Sequence, residues 1–473
     1  MEGSARKKLI QVVAILLFIA VSLCCLYKVY DVLRWKDTTG DYLSSFEQLY
    51  ATADDLIDVA FVGSSHCFCG ITPAFMWEEK GIAGFDMSVS GQDRDSAYHH
   101  IKELLKSQSP KVIVVDLFAL TFDEHAEEGN IYRNLLSMRT SKNSVELVTE
   151  YAHKSEWENY ISRFPIVHTR YRELTEYDFD LPAQNDYGRG ALFQFRENPQ
   201  TKYVIDEKKV EKTELSDDNK EWLEALIKLS KDENFELEFM ILPMVMDEEL
   251  RSIFDSAERY LEEKGIAVLD YNEISGINID YATDFADPTH LNSFGSKKVT
   301  VHLGEYLSDK YALSDHRGDA KYKQWDDDLT WYYQAKADYE FNASEYYDDV
   351  VKKAVSMPNA LTVISLEGIS EEEPYDFYTP LEAFGMTFED YLSGGKWLYR
   401  DGTLTKVCEN DLSAPDYVYD INKKDTLKIR YNGDYLYDEN IMLNNESLYC
   451  HGAKITIAVY DLFLEEPVAV KGF

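Results

Sequence analysis

The sequence predicts an α/β fold with a parallel sheet for the body of this chain, on three observations. Between Asp58 and Leu307, short continuous apolar runs alternate with segments of helical periodicity. Those runs lack polar alternation, as expected of strands buried on both faces beneath covering helices. An uncharged run, Leu9–Tyr27, precedes this body, and a pattern rich in β-branched and aromatic residues follows it from about residue 356.

The elements follow in chain order. Arg6, Lys7 and Lys8 form a short basic tail (1–8) before Leu9–Tyr27. As a helix rising ~1.5 Å per residue, that run covers about one hydrocarbon core of a bilayer. A leader cleaved after Ala20-Val21-Ser22 is the alternative. The apolar run continues past that point through Leu23–Tyr27, which favours a retained anchor. Basic residues before the span place the N-terminus on the cytoplasmic side of the plasma membrane and the body outside. Residues 28–54 then read as a juxtamembrane linker and 55–312 as the α/β domain.

Within that domain the predicted strands are Asp58–Gly63, Ala83–Met87, Lys111–Leu117, Leu237–Leu242 and Ile266–Asp270. The predicted helices are Arg94–Lys106, Asn219–Lys231 and Glu248–Glu263, with another from Ser293. Residues 121–217, polar and aromatic with weak periodicity, are expected to form an insertion capping the carboxyl ends of the strands, where such sheets bind ligands. Residues 313–355 read as a charged, Tyr-rich linking helix and 356–473 as a smaller β domain. Its strands are expected at Ala360–Leu366, Lys396–Tyr399, Leu427–Tyr431 and Lys454–Asp461, with Asn432-Gly433 as a hairpin signal.

Composition removes several functions. Lys and Arg number 48 against 86 Asp and Glu, a net charge of −38 that excludes a nucleic-acid partner. With 45% hydrophobic residues the chain can build cores, so disorder is excluded. No Walker loop, dinucleotide fingerprint, HExxH or EF-hand loop occurs, and Cys67-Phe68-Cys69 lacks a second Cys/His pair, so neither cofactor nor metal is expected. Cys67 and Cys69 read as small buried thiols, whereas Cys408 and Cys450 are candidates to pair. Asp326–Asp328 and Glu371–Glu373 read as solvated faces.

Two segments carry chemistry. Val62-Gly63-Ser64-Ser65-His66 follows the first strand, so a serine there stands at the sheet end with its backbone N–H free to face a developing oxyanion. Asp287-Pro288-Thr289-His290 lies near the end of the domain. A carboxylate three residues before a histidine can turn back to hold Nδ1–H, leaving Nε2 to take a serine proton. Ser65, His290 and Asp287 are therefore the candidate nucleophile, base and orienting carboxylate.

Gly63-Ser64-Ser65 and Asp287-x-x-His290 resemble the first and last blocks of the SGNH (GDSL-type) hydrolase superfamily over roughly residues 55–310. Asp86-Met87-Ser88-Val89-Ser90-Gly91 resembles the second block. The resemblance implies a flavodoxin-like three-layer domain, Ser65 as nucleophile, and an oxyanion site from the N–H groups of Ser65 and Gly91. The third block should supply an Asn, but Asp116-Leu117-Phe118-Ala119-Leu120-Thr121 has none. Gln92 is the candidate replacement. With the N-terminal span, the set is similar to DltD-like and AlgJ-like proteins. That likeness implies esterase or acyl-transfer work on cell-surface polysaccharide or teichoic acid beside a membrane-bound O-acyltransferase. Tyr431-Asn432-Gly433-Asp434-Tyr435, His451-Gly452-Ala453-Lys454 and Val459-Tyr460-Asp461 resemble the ILEI/PANDER-type β domain, which implies carbohydrate binding. A catalytically silent, glycan-binding scaffold is the competing expectation.

Other histidines are placed by position. His66 is expected to point aside, and His99-His100 to lie at the surface of a helix. His168 and Arg170 are candidates to touch an anionic substrate from the cap.

Overall fold

The computed structural model describes residues 2–36, 43–122, 133–181, 183–370, 375–433 and 440–473. Glu371–Glu373 and Asp434-Tyr435 lie outside them. The chain divides into two compact units, Met1–Leu329 and Thr330–Phe473, with the division inside the helix Lys323–Ala343.

The first unit opens with a single helix, α1 (Glu2–Leu33), whose stretch Leu9–Leu33 is long and apolar enough to cross a membrane. A short helix, α2 (Leu43–Ala51), leads into the sheet. Five strands follow: β1 (Val59–Val62), β2 (Gly84–Asp86), β3 (Val112–Asp116), β4 (Glu236–Ile241) and β5 (Val268–Asp270). They pair in parallel, in the order β2-β1-β3-β4-β5.

The continuous apolar runs are explained by the two cores. Ala60 and Val62 of β1, Ile113 and Val115 of β3, and Phe239 and Ile241 of β4 face one side. There they meet α5 (Arg94–Leu104, the third helix after β1) and the helices Asp217–Glu233 and Glu248–Glu262. Val59, Phe61, Val112, Val114 and Met240 face the other, against α4 (Pro73–Lys80) and the helix Ser293–Tyr311. Successive residues of these strands thus enter different cores, so most positions are apolar, with Asp86, Asp116 and Glu238 as buried polar exceptions.

The described parts of 121–217 pack in more than one place. The helix Lys142–Tyr151 packs beside α5, and the short helical turns of 164–172 pack against the end of α1. Residues 191–200 follow without regular secondary structure, and there Leu192 N–H donates to Phe68 O and Gln194 exchanges hydrogen bonds with Ser293. Of Asp326–Asp328, expected to be a solvated face, Asp326 is exposed and Asp327 half-buried, but Asp328 is not solvated. Asp328 is buried, 2.8 Å from the guanidinium of the equally buried Arg189, and Asp326 accepts the Trp77 indole N–H at 2.8 Å.

The second unit is antiparallel. One sheet has the order β14-β13-β6-β7-β8 and the other β12-β11-β10-β9. Here β6 is Ala360–Leu366, β7 Gly395–Arg400, β8 Thr403–Cys408 and β9 Tyr417–Asp420. The remainder are β10 (Thr426–Ile429), β11 (Ile441–Leu443), β12 (Glu446–Ser447), β13 (Ile455–Asp461) and β14 (Glu466–Gly472). Leu361, Val363 and Leu398 of the first sheet meet Leu427, Ile429 and Ile441 of the second. Ile364, Ile455 and Ile457 instead pack beneath the helix Tyr347–Ser356.

β8, β9, β11, β12 and β14 were not among the expected strands. Most are edge or short strands whose exposed faces carry too few apolar residues to register. Asn432-Gly433 does not make a two-residue turn, because the pairing of β10 with β11 extends only to Arg430 N–H and Asn440 O. Cys408 and Cys450 are both free thiols. Cys408 Sγ faces Glu409 O, and the candidate pair does not form.

Candidate active site

β1 ends at Val62, and after Gly63 the chain turns at once into α3 (Ser65–Gly70). Ser64 caps this helix, its hydroxyl accepting His66 N–H. A side chain at Gly63 would meet Cys67 Cβ at 2.7 Å and Asp116 Cβ at 2.9 Å, so only glycine lets the turn sit this close to β3. The turn leaves Ser65 partly exposed while Ser64 and His66 are buried.

His290 reaches Ser65 across 225 residues of sequence, with Nε2 2.8 Å from Oγ. Its Nδ1 lies 2.7 Å from Asp287 Oδ2. The other carboxylate oxygen, Oδ1, accepts the N–H groups of Thr289 and His290, each at 2.9 Å, and the Thr289 hydroxyl at 3.1 Å. Burial opposes ionisation of Asp287, but these N–H bonds and the imidazole together outweigh it and hold the carboxyl below its usual range. The loop is pinned on three sides. Ala286 N–H bonds His290 O, Val245 N–H bonds Pro288 O, and Asn292 caps the helix Ser293–Tyr311 while donating to Thr283 O.

The segment after β2 comes to the same place. Met87 N–H donates to Phe61 O and Val89 N–H to Gly63 O, which carries the pairing with β1 beyond the strand. Gly91 then turns with φ +65°, a left-handed conformation natural to glycine. Among the described residues, neither Ser65 N–H nor Gly91 N–H has a protein acceptor. At the start of the segment, Asp86 is wholly buried and its carboxyl accepts Ser88 N–H at 2.8 Å. Burial pushes this carboxyl up to about 7 against that hydrogen bond.

Gln92 does not stand in for the absent Asn. It is buried, and its amide nitrogen lies 3.2 Å from Met87 O and 2.6 Å from His100 Nδ1, turned into the protein. His99 and His100 are likewise not at the surface. His100 is fully buried between Gln92 and Asn134 O, and burial lowers its titration to about 3, so the ring is neutral. His99 is buried between Asn143 and Glu150. Asn134 closes the circuit, donating from Nδ2 to Gly91 O at 3.0 Å. Gln92, His100 and Asn134 thus brace the glycine turn from behind. Asn134 lies in the weakly periodic insertion, and no spacing to Gly91 marks it in the sequence.

His66 points aside as expected. Its Nδ1 lies 2.8 Å from Asp116 Oδ2, and the ring stacks on Phe118 at 4.6 Å. The residue at the third-block position is therefore engaged with His66. His168 and Arg170 are far from this chemistry. His168 is exposed with Nδ1 on Pro165 O, and Arg170 binds the carbonyls that end α1. Cys67 and Cys69 are buried thiols, as the sequence indicates. No group of three or more metal-ligating side chains occurs among the described residues.

Chemically, the arrangement can deprotonate Ser65 through His290, with Asp287 fixing the imidazole, and can offer backbone donors to an oxyanion. No family model matches the chain, and neither does any curated protein.

Proposed function

We propose that the chain is a membrane-anchored serine esterase or O-acyltransferase of SGNH (GDSL) type. The observation that carries this reading is the continuous line of hydrogen bonds from Asp287 Oδ2 through His290 to Ser65 Oγ, at 2.7 and 2.8 Å. Sheet order β2-β1-β3-β4-β5, the flavodoxin-like order, with the serine at the carboxyl end of β1, supports the family assignment.

In this reaction Ser65 Oγ attacks the acyl carbonyl while its proton passes to His290 Nε2. The N–H groups of Ser65 and Gly91 receive the oxyanion. Collapse returns the proton to the leaving alcohol and leaves the acyl group on Ser65. Water or a sugar hydroxyl, deprotonated by the same imidazole, then takes the acyl group. Backbone donors alone serve the oxyanion here. Loss of one donor costs about 10²–10³ in rate, so the enzyme is slow but competent.

By resemblance, the acyl group belongs to a cell-surface polysaccharide or teichoic acid. A membrane-bound O-acyltransferase is the fitting supplier, α1 the anchor with its N-terminus cytoplasmic, and the β unit the carbohydrate-binding part. Treating the full chain with a small activated acyl ester tests the proposal. Intact-mass analysis is expected to show one acyl adduct, absent in Ser65→Ala.

The second reading, a silent glycan-binding scaffold, is favoured by one observation: Asp116 and Gln92 are both committed to other partners. It predicts no adduct, with glycan binding unchanged in Ser65→Ala.

A further inference from the structure

The insertion between β3 and β4 presents bulky aromatic side chains to solvent beside the end of α1. Phe164 is 51% exposed, Tyr171 59% and Phe179 69%, all within the stretch 164–179. Single exposed apolar residues are ordinary, but several large rings concentrated in one short stretch mark a contact surface. This stretch is also tied to one place. Arg170 Nη1 donates to Leu33 O at 2.8 Å and Arg34 O at 2.6 Å, while its Nη2 holds Asp178 Oδ1 at 2.7 Å. The guanidinium also lies over the Trp35 ring at 5.7 Å. Arg170 therefore satisfies carbonyls at the C-terminus of α1 and fastens two turns of the insertion to it at once.

The end of α1 has a defined height if the helix spans a bilayer. A hydrocarbon core about 30 Å thick takes about 20 helical residues, which from Leu9 reaches Lys28. The remaining turn, to Leu33, then lies at headgroup level, and Leu33 is already covered by protein. Aromatic rings strapped to that turn stand where Trp and Tyr side chains gather in membrane proteins, half in the acyl boundary and half in the headgroups. The stretch 164–179 contains Arg170 and Arg172 against Glu173, Glu176 and Asp178, so it has no basic excess to attract anionic lipid. The apolar rings, not charge, make the contact.

We propose that residues 164–179 form a second membrane contact, an aromatic apron seated in the lipid interface beside α1. The occupant is the lipid surface itself. This rests on α1 being a membrane span, and the test separates the two claims.

The full chain is reconstituted in nanodiscs of phosphatidylcholine containing a photoactivatable phosphatidylcholine, irradiated, and its lipid adducts mapped by peptide mass. Adducts are expected on 9–33 and also on 164–179. In Phe164→Ser/Tyr171→Ser/Phe179→Ser the adducts on 164–179 should fall at least about tenfold, and those on 9–33 should persist. Adducts on 9–33 with none on 164–179 in the native chain overturn the apron and leave the span intact. A protein partner would then be the occupant of these rings. Absence of adducts from 9–33 overturns the span itself. Arg170→Ala supplies an independent arm: freeing the stretch should lower its adducts without touching those on 9–33, and unchanged adducts would refute the strap.

Discussion

Asp287 divides its two oxygens between tasks, Oδ2 to the imidazole and Oδ1 to its own loop. Because those N–H bonds outweigh burial and hold the carboxyl below its usual range, it stays ionised well into acid. It loses its stabilising bonds only as pH falls through that lowered value. Throughout the range in which an imidazole titrates, the carboxylate is therefore a constant. Under the proposed mechanism, hydrolysis rates should rise with pH along a limb of a single proton, the one the general base must shed. A limb of two protons in the pH–rate profile would contradict the assignment. Asp287→Asn should lower kcat by about 10⁴ with little change in KM, as the ring loses both its tautomer and its counter-charge.

Behind the glycine turn, His100→Ala would strand Gln92 and Asn134 in a dry site, costing about 1–3 kcal/mol of stability. It should also lower kcat through the loosened Gly91 turn, and His100→Gln should recover part of both. Stability from denaturant unfolding and kcat from ester turnover check the pair. Ser65, His290 and Asp287 were legible in the sequence because each sits at a position that topology makes meaningful: a strand end, and a loop before a final helix. Gln92, His100 and Asn134 were not, since their roles arise from a chain reversal that no local pattern announces.

At the scale of elements, the turn between β1 and α3 and the segment after β2 decide the geometry. Gly63→Ala would drive a methyl into Cys67 Cβ and Asp116 Cβ, at 2.7 and 2.9 Å. The turn must shift, at a cost of about 1–3 kcal/mol. Ser65 shifts with it, and about 10²-fold in rate should go with the lost alignment to His290. Unfolding and turnover measured on one preparation separate the two effects.

The buried Asp86 sets a pH dependence of opposite sign to Asp287. Its carboxyl is raised from 3.8 to about 7, so the folded state favours the proton. The associated stability is complete below the unfolded value and is lost as pH rises through about 7. Asp86→Asn should flatten this decline in a stability-against-pH series.

The central strands were the most readable elements, since residues such as Val112 to Val115 alternate between two cores and must all be apolar. Strands β8, β9 and β14 escaped because their burial alternates or fades at an edge. His99 and His100 show the same limit in a helix: polar side chains were assigned outward, whereas partners from the insertion bury them.

Across the whole molecule, each unit has its own core, with Ile457 of β13 fully buried in the second. Ile457→Ala should cost about 2–5 kcal/mol in that unit. Calorimetry of the full chain should then show the second unit's transition moved down while acylation of Ser65 persists at temperatures below it. Loss of acylation in step with that transition would mean that the units do not melt apart.

The separation of Ser65 from His290 by 225 residues also bears on how the protein is made. β1 is the first strand to emerge during synthesis, whereas the imidazole follows only after the sheet and insertion have been translated. At about 5–20 residues per second, that interval lasts roughly 10–45 s. During it α1 is already available to the insertion machinery, and the nascent chain holds a serine with no base. Under the proposed function, a ribosome that stalls anywhere in that interval releases a fragment unable to form an acyl adduct. Under that same proposal, reactivity toward esters is thereby confined to chains that have completed the α/β unit.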